Sequence, residues 1–173
     1  MKTKIISAFP GVGKTYYHER NKEISIDNDS SHFSWVKDSE GNNTKERNPE
    51  FPNNYINHIK ENAGKYKYIF VSSHEEVRLA LKENGIEYYM IYPAKKRKKE
   101  FIERYIQRGS PEGFVNLISE NWDSWIGKIE EEKEEGFTRI CMTLDNLENE
   151  LTYIEIIENT SDLLKVNLFE TRN

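Results

Sequence analysis

A lysine and a threonine placed just after two glycines set the chemistry of this chain. Residues 4–20 read KIISAFPGVGKTYYHER. The isoleucines Ile5 and Ile6 lead into Pro10, Gly11, Val12 and Gly13, and Lys14, Thr15 and Tyr16 follow. Against the spacing G-x-x-x-x-G-K-[ST], residues 8–15 match at every position but the first, where Ala8 stands for glycine. A strand that delivers the chain to such a turn lets backbone N–H groups curl around phosphate oxygens, with the next helix pointing its positive end at the same anion. Lys14 would then reach the β- and γ-phosphates, and the Thr15 hydroxyl would ligate Mg²⁺. An ordinary strand–turn–helix can also contain GKT. The position of the motif directly after a first strand favours nucleoside triphosphate binding, with ATP and Mg²⁺ as ligands and residues 10–16 as the contact.

Three further groups bear on the same chemistry. Asp27 and Asp29 flank Asn28 at the end of the alternating run Ile24-Ser25-Ile26-Asp27, before the turn formers Ser30 and Ser31. Positions i and i+2 of an extended chain point the same way, so both carboxylates can face one site. They would hold Mg²⁺ through waters, Asp29 foremost, or one would take the proton of an attacking hydroxyl. The plainer alternative has Asp27 closing a turn through its backbone and Asp29 in solvent. The second group is basic. Residues 95–108 carry seven Lys or Arg against two Glu, a local +5 in a chain of net charge −5. Arg97, Arg104 and Arg108 are spaced to share one helical face and to meet the charge that phosphoryl transfer spreads over oxygens. Lys96, Lys98 and Lys99 fall elsewhere, as a solvated rim, and the segment also reads as a surface helix packed through Phe101, Ile102, Tyr105 and Ile106. The third group is Ser72-Ser73-His74, where many phosphate-loop proteins carry a Walker B aspartate. None stands here. Either a hydroxyl orders the Mg²⁺ waters, or the metal contact has moved to Asp27 or Asp29. A nucleophilic Ser–His pair is set aside, because neighbouring positions in one chain seldom face each other.

These groups need elements to hold them. Residues 4–9 read as a buried first strand, 15–21 as a helix and 24–27 as a second strand. Residues 38–54, DSEGNNTKERNPEFPNN, show no periodicity and read as a long loop. A helix begins near Asn54 with Tyr55, Ile56 and Ile59 on its buried side. A central strand spans 68–73, a helix 74–84 stops at Gly85, and a further strand spans 87–92. Helices at 95–107 and 111–135 follow, then a last strand at 137–144 and a helix at 149–159. Trp122, Trp125, Ile118 and Ile129 read as packing of the long helix, and the glutamate run of 130–135 as its solvated end. Strands separated by helices require crossovers, so the expected fold is α/β with a mostly parallel sheet.

Composition bounds the class. The chain has 173 residues, 36% of them hydrophobic and 32% charged, which suits one domain able to bury a core. No apolar run is long enough to span a bilayer and no secretory h-region follows Met1, so a cytoplasmic protein without membrane contact is expected. One cysteine, Cys141, leaves no internal disulfide. The acidic balance argues against broad binding of duplex DNA.

At these residues the chain resembles the small P-loop kinases, the superfamily of nucleoside monophosphate kinases and of hydroxyl-phosphorylating relatives such as shikimate and gluconate kinases. AFPGVGKT resembles their loop, Asp27-x-Asp29-Ser resembles the acid pair of shikimate-type kinases, and KKRKKEFIERYIQRG resembles the lid helix whose arginines close on the nucleotide. RNPEFPNNYINHIK, IFVSSH, YIQRGS and NWDSWI are similar to nucleotide kinases encoded by phages, which would place the protein in a host cytoplasm. The resemblance covers residues 4–110. It implies a P-loop three-layer sandwich with a five-stranded sheet, one kinase domain over 1–173, an acceptor-binding insertion at 38–63 and a lid at 94–110. Ala8 and the missing Walker B acid depart from the pattern.

The acceptor is open between two chemistries. A phosphate acceptor is already a nucleophile and needs cationic clamps, for which Arg47, Arg78, Arg97, Arg104 and Arg108 are available. A hydroxyl acceptor needs a carboxylate base, for which Asp27 and Asp29 are available. Phe51 and Tyr55 in the insertion are aromatic rings able to stack on a base. The expected activity is ATP-dependent, Mg²⁺-dependent phosphoryl transfer to a nucleotide or nucleoside. The alternatives are a kinase for a hydroxyl on nucleic acid or a small metabolite, and a nucleotide-binding regulator with little turnover.

Overall fold

The computed structural model describes residues 2–134, 140–144, 154, 157 and 158, the backbone alone at 133, 134 and 140–144. Its centre is β1 (Lys4–Ala8), whose run of buried residues leaves no polar face. A strand buried on both sides fits a parallel sheet covered by helices on both faces. On one side β1 pairs in parallel with β5 (Tyr68–Ser72), and on the other with β6 (Tyr88–Pro93). β2 (Ser25–Asp27) lies outside β5, also parallel. The result is a four-stranded parallel sheet in the order β2-β5-β1-β6, and the backbone of β7 (Ile140–Leu144) extends it parallel to β6.

Helices make the crossovers that this order demands. α1 (Lys14–Arg20) joins β1 to β2, and α3 (Asn53–Asn62) precedes β5 with Tyr55, Ile56 and Ile59 buried as the spacing predicts. α4 (Glu75–Glu83) joins β5 to β6 and buries Val77, Ala80 and Leu81, one face of a helical repeat. It stops at Gly85: the Gly85 N–H bonds Lys82 O and the Ile86 N–H bonds Leu81 O, the paired closure typical of a helix C-terminus. After β6, a short 3₁₀ turn (Lys95–Arg97) leads into α5 (Lys98–Gln107), and α6 (Glu112–Glu134) follows. Trp122 of α6 anchors this side. Its ring meets Phe9 edge-on at 5.5 Å and Phe101 at 5.6 Å, and its indole N–H donates to Lys95 O at 2.9 Å.

Two sequence expectations change. Residues 38–54 are not one loop, because β3 (Trp35–Lys37) and β4 (Asn43–Arg47) form an antiparallel hairpin preceded by α2 (Ser31–Ser34). β4 is exposed at all positions but one, so it has no apolar alternation to read. What closes the hairpin is the Asp38 carboxylate, which accepts from the N–H groups of Glu40 and Asn42 at 2.9 Å each. The solvated glutamate run also changes, since Glu132 is folded under against Arg78. Residues 137–139 of the expected last strand lie outside the described residues, as does most of the expected helix at 149–159. Ile154, Ile157 and Glu158 within it are helical. Glu158 binds Lys4 at 2.8 Å and Lys67 at 3.0 Å and accepts from Tyr68 Oη. Among the described residues no helix is long and apolar enough to cross a membrane.

Candidate functional site

The site lies where open parallel sheets place their ligands, beyond the carboxyl ends of the strands at a reversal of strand order. From β1 the chain moves outward to β2, and it later returns through β5 and crosses β1 to β6. The ends of β1, β2 and β5 therefore open into one cavity of about 700 Å³. Its floor is the glycine-bearing loop with Lys14, Thr15 and Tyr16, and its acidic wall is Asp27 and Asp29. Ser72, Ser73 and His74 line it from β5, and Arg104 and Arg108 from the end of α5.

The loop is shaped from both sides. Gly11 and Gly13 have φ of 83° and 94°, a region that disfavours side chains. A Cβ at Gly11 would also come within 2.8 Å of the Tyr105 ring. Tyr105 Oη donates to Pro10 O at 2.7 Å, and Arg104 Nη1 donates to Gly11 O at 2.7 Å. With both carbonyls engaged on the α5 side, the N–H groups of Gly11, Gly13 and Lys14 donate to no backbone carbonyl among the described residues. Val12 is fully buried and serves the core through its side chain.

Lys14 bends back over the loop, and its ammonium donates to Ala8 O at 2.8 Å. Burial lowers its pKa to about 8; Asp27 and Asp29 pull it upward and Arg108 adds to the lowering. All three charges therefore act on the lysine that the loop presents. The Thr15 hydroxyl donates to Asp27 Oδ2 at 2.7 Å. Asp29 accepts from the Ser31 N–H at 2.9 Å while lining the cavity. His74 is open to the cavity but walled by protein elsewhere, and that enclosure lowers its pKa, Asp29 opposing and Lys14 assisting. Beneath the acids, Tyr55 Oη donates to Asn28 O at 2.7 Å and accepts from the Ser72 N–H at 3.3 Å, while Ser72 Oγ accepts from the Ser30 N–H. The acid turn is thus fastened to the end of β5.

Several residues expected at the site stand elsewhere. Arg97 is 8% exposed, pairs with Glu100 through Nε at 2.8 Å and does not line the cavity. It lies in the 3₁₀ turn, one residue before α5 begins, and shares Glu100 and the Phe101 ring with Arg104, so its guanidinium is engaged there and not at the cavity. It is also not the solvent-facing lid residue its sequence position suggests. Arg78 is 3% exposed and grips Glu132 with two hydrogen bonds, at 2.7 Å and 2.6 Å. Arg47 pairs with Glu76 and stacks over Phe51. Phe51 and Tyr55 are core residues, Tyr55 with no exposed surface, and neither ring is available to stack on a base.

Sequence reasoning missed an apolar wall. Phe114, Leu117 and Trp125 of α6 line the cavity. Their signal was present as a second apolar stripe on α6, one position out of step with the core residues Val115, Ile118 and Ile126.

Thr15 and Asp27 suit Mg²⁺. Both offer hard oxygen atoms, and among the described residues there is no cluster of three or more acidic, His or Cys ligands. Such a sparse set fits an ion that is held by one or two protein groups together with substrate phosphates and water. No protein-family model matches the sequence, and no curated protein is significantly similar to it.

Proposed function

We propose that the protein is a P-loop kinase that transfers the γ-phosphoryl group of ATP to a nucleotide or nucleoside. The observation that carries this reading is the joint placement of Lys14, the Thr15–Asp27 pair and the two positive-φ glycines along one cavity. The loop N–H groups and Lys14 hold the β- and γ-phosphates; Arg104 and Arg108 approach the same space from α5. Thr15 and Asp27 would hold Mg²⁺, which supplies charge neutralisation between the phosphates when bound. The Thr15–Asp27 hydrogen bond supports Asp27 as the acid that stands in for the missing Walker B aspartate. The three-layer P-loop architecture, with residues 94–110 as its lid, accords with the strand order. ATP, Mg²⁺ and a nucleotide-like acceptor are its proposed ligands.

A hydroxyl acceptor is the second reading, and Asp29 favours it. With Asp27 engaged by Thr15, Asp29 is the carboxylate left to take a proton within the cavity. Labelled ATP and Mg²⁺ incubated with deoxynucleoside monophosphates, nucleosides and 5′-hydroxyl oligonucleotides test both. Transfer to a monophosphate, with a mild Asp29→Asn effect relieved by added Mg²⁺, is the expected result. A loss of ~10²–10⁴-fold in Asp29→Asn that Mg²⁺ does not relieve identifies a hydroxyl acceptor. ATP binding without transfer to any of them would make the protein a nucleotide-binding regulator.

A further inference from the structure

On the kinase reading, phosphates and Mg²⁺ take the polar half of the cavity, which leaves the α6 wall without a role. That wall is apolar and open. Leu117 is 51% exposed, and Phe114 and Trp125 are half-buried beside it, packed against the edge of the core while also lining the cavity. Phe114 is held edge-on to Tyr105 at 5.5 Å, and Arg108 lies 5.6 Å above its ring, so the wall continues directly into the cationic end of α5. Trp125 also borders Ser73 and His74, which lie at the end of β5. In the sheet order β2-β5-β1-β6, β5 and the acid-bearing β2 are on the same side of the loop. In-line transfer places the acceptor opposite the leaving group, and the acids are where an acceptor would approach.

We infer that the α6 stripe of Phe114, Leu117 and Trp125 is the acceptor's ring site, a flat apolar surface that takes the nucleobase of a nucleoside monophosphate. This rests on the kinase reading above and replaces Phe51 and Tyr55 in the stacking role. Aromatic and aliphatic side chains give a planar ring contact area on one face, while Ser73 and His74 offer hydrogen bonds to its edge. The acceptor phosphate then points towards Arg108 and the loop.

The test holds the donor site filled. Calorimetric titration of a non-hydrolysable ATP analogue with Mg²⁺ comes first. Each of the four deoxynucleoside monophosphates and ring-free 2-deoxyribose 5-phosphate is then titrated into the saturated protein. At least one nucleotide should bind about tenfold or more tighter than the ring-free phosphate, the size expected for burying a ring against apolar side chains. Leu117→Ser, at a half-exposed position that the fold does not need, should erase most of that difference while the ring-free ligand binds as before. Trp125→Ala should act in the same direction. Equal binding of nucleotide and ring-free phosphate overturns the inference, as does a Leu117→Ser protein that keeps the preference. Weakened binding of the ATP analogue alone in Leu117→Ser would assign the wall to the donor's adenine and also overturn it. Failure of the wild-type protein to bind the analogue at all defeats the kinase reading, and this inference with it.

Discussion

The two ends of α6 each receive an arginine, and they use it in opposite ways. Near the C-terminal end Arg78 is sealed against Glu132, both nearly removed from water, with the guanidinium fork matched to the carboxylate. At the N-terminal end Arg108 is exposed, lies over the rings of Tyr105 and Phe114, and donates to Ser110 Oγ at 2.8 Å. Arg104 is intermediate, sharing Glu100 with Arg97 and reaching the loop with its other nitrogen. An arginine met by a buried carboxylate becomes part of the frame. One that rests on aromatic rings stays available to an anion, because a ring face attracts the cation without neutralising it. The contrast teaches that a count of basic residues near a phosphate site says little until each one's partner is known.

The sharpest way to break this contrast is to remove Arg78. Arg78→Ala leaves Glu132 buried without its partner and should lower stability by about 3–5 kcal/mol. Arg108→Ala should stay within about 0.5 kcal/mol of wild type when both variants are unfolded in urea. Equal midpoints for the two variants would show that they are not different in kind.

Next in size is Lys14→Ala. Loss of a cation aimed at transferring phosphates should reduce turnover by roughly 10²–10³-fold, with the melting temperature close to wild type. A variant that retains full turnover would remove the loop from the chemistry.

A smaller effect is expected from Arg104→Lys. The single ammonium cannot keep both the Gly11 carbonyl and a phosphate oxygen as a planar fork can, and the loss should be roughly tenfold in kcat/KM, about one charge-assisted hydrogen bond. Full activity would reduce Arg104 to a structural contact.

The last, comparable for each pH unit, is a pH effect at Lys14. In the free protein this lysine gives up its proton near pH 8, and bound phosphates must raise that value. Binding therefore takes up a proton once the pH exceeds about 8. ATP affinity should be level below that point and weaken by about tenfold per pH unit above it. Lys14→Ala should abolish this slope, and a wild-type affinity unchanged between pH 8 and 9.5 would exclude Lys14 as the phosphate cation.

Much of the frame was legible because local rules and the global fold agree. The buried strands were continuous apolar runs, and Tyr55, Ile56 and Ile59 were already spaced for one side of α3. The loop and the two acids were placed correctly on the same edge, since strand alternation and the rule for open sheets act together. Arginine roles were not legible. Whether Arg78 meets Glu132 depends on which helix packs there, and 54 residues separate them in the chain. Arg97 was misread for a smaller reason: Glu100, three positions on, takes its guanidinium. The β3–β4 hairpin was hidden because side chain–backbone bonds from Asp38, and not apolar burial, hold it.

The grip of Tyr105 and Arg104 on the loop carbonyls has a consequence for how a ligand is met. A bare glycine loop samples many shapes, and a ligand that must order it loses affinity to the entropy of doing so. Here that ordering belongs to folding: α5 fixes the backbone from outside, through the Tyr105 hydroxyl and one nitrogen of the Arg104 fork, each donating to a loop carbonyl. The nucleotide arrives at a receptor that is already cast. Most of the interaction energy with the phosphates then appears as binding, and the thermodynamic cost of the shape is carried by the stability of the α5–loop contact.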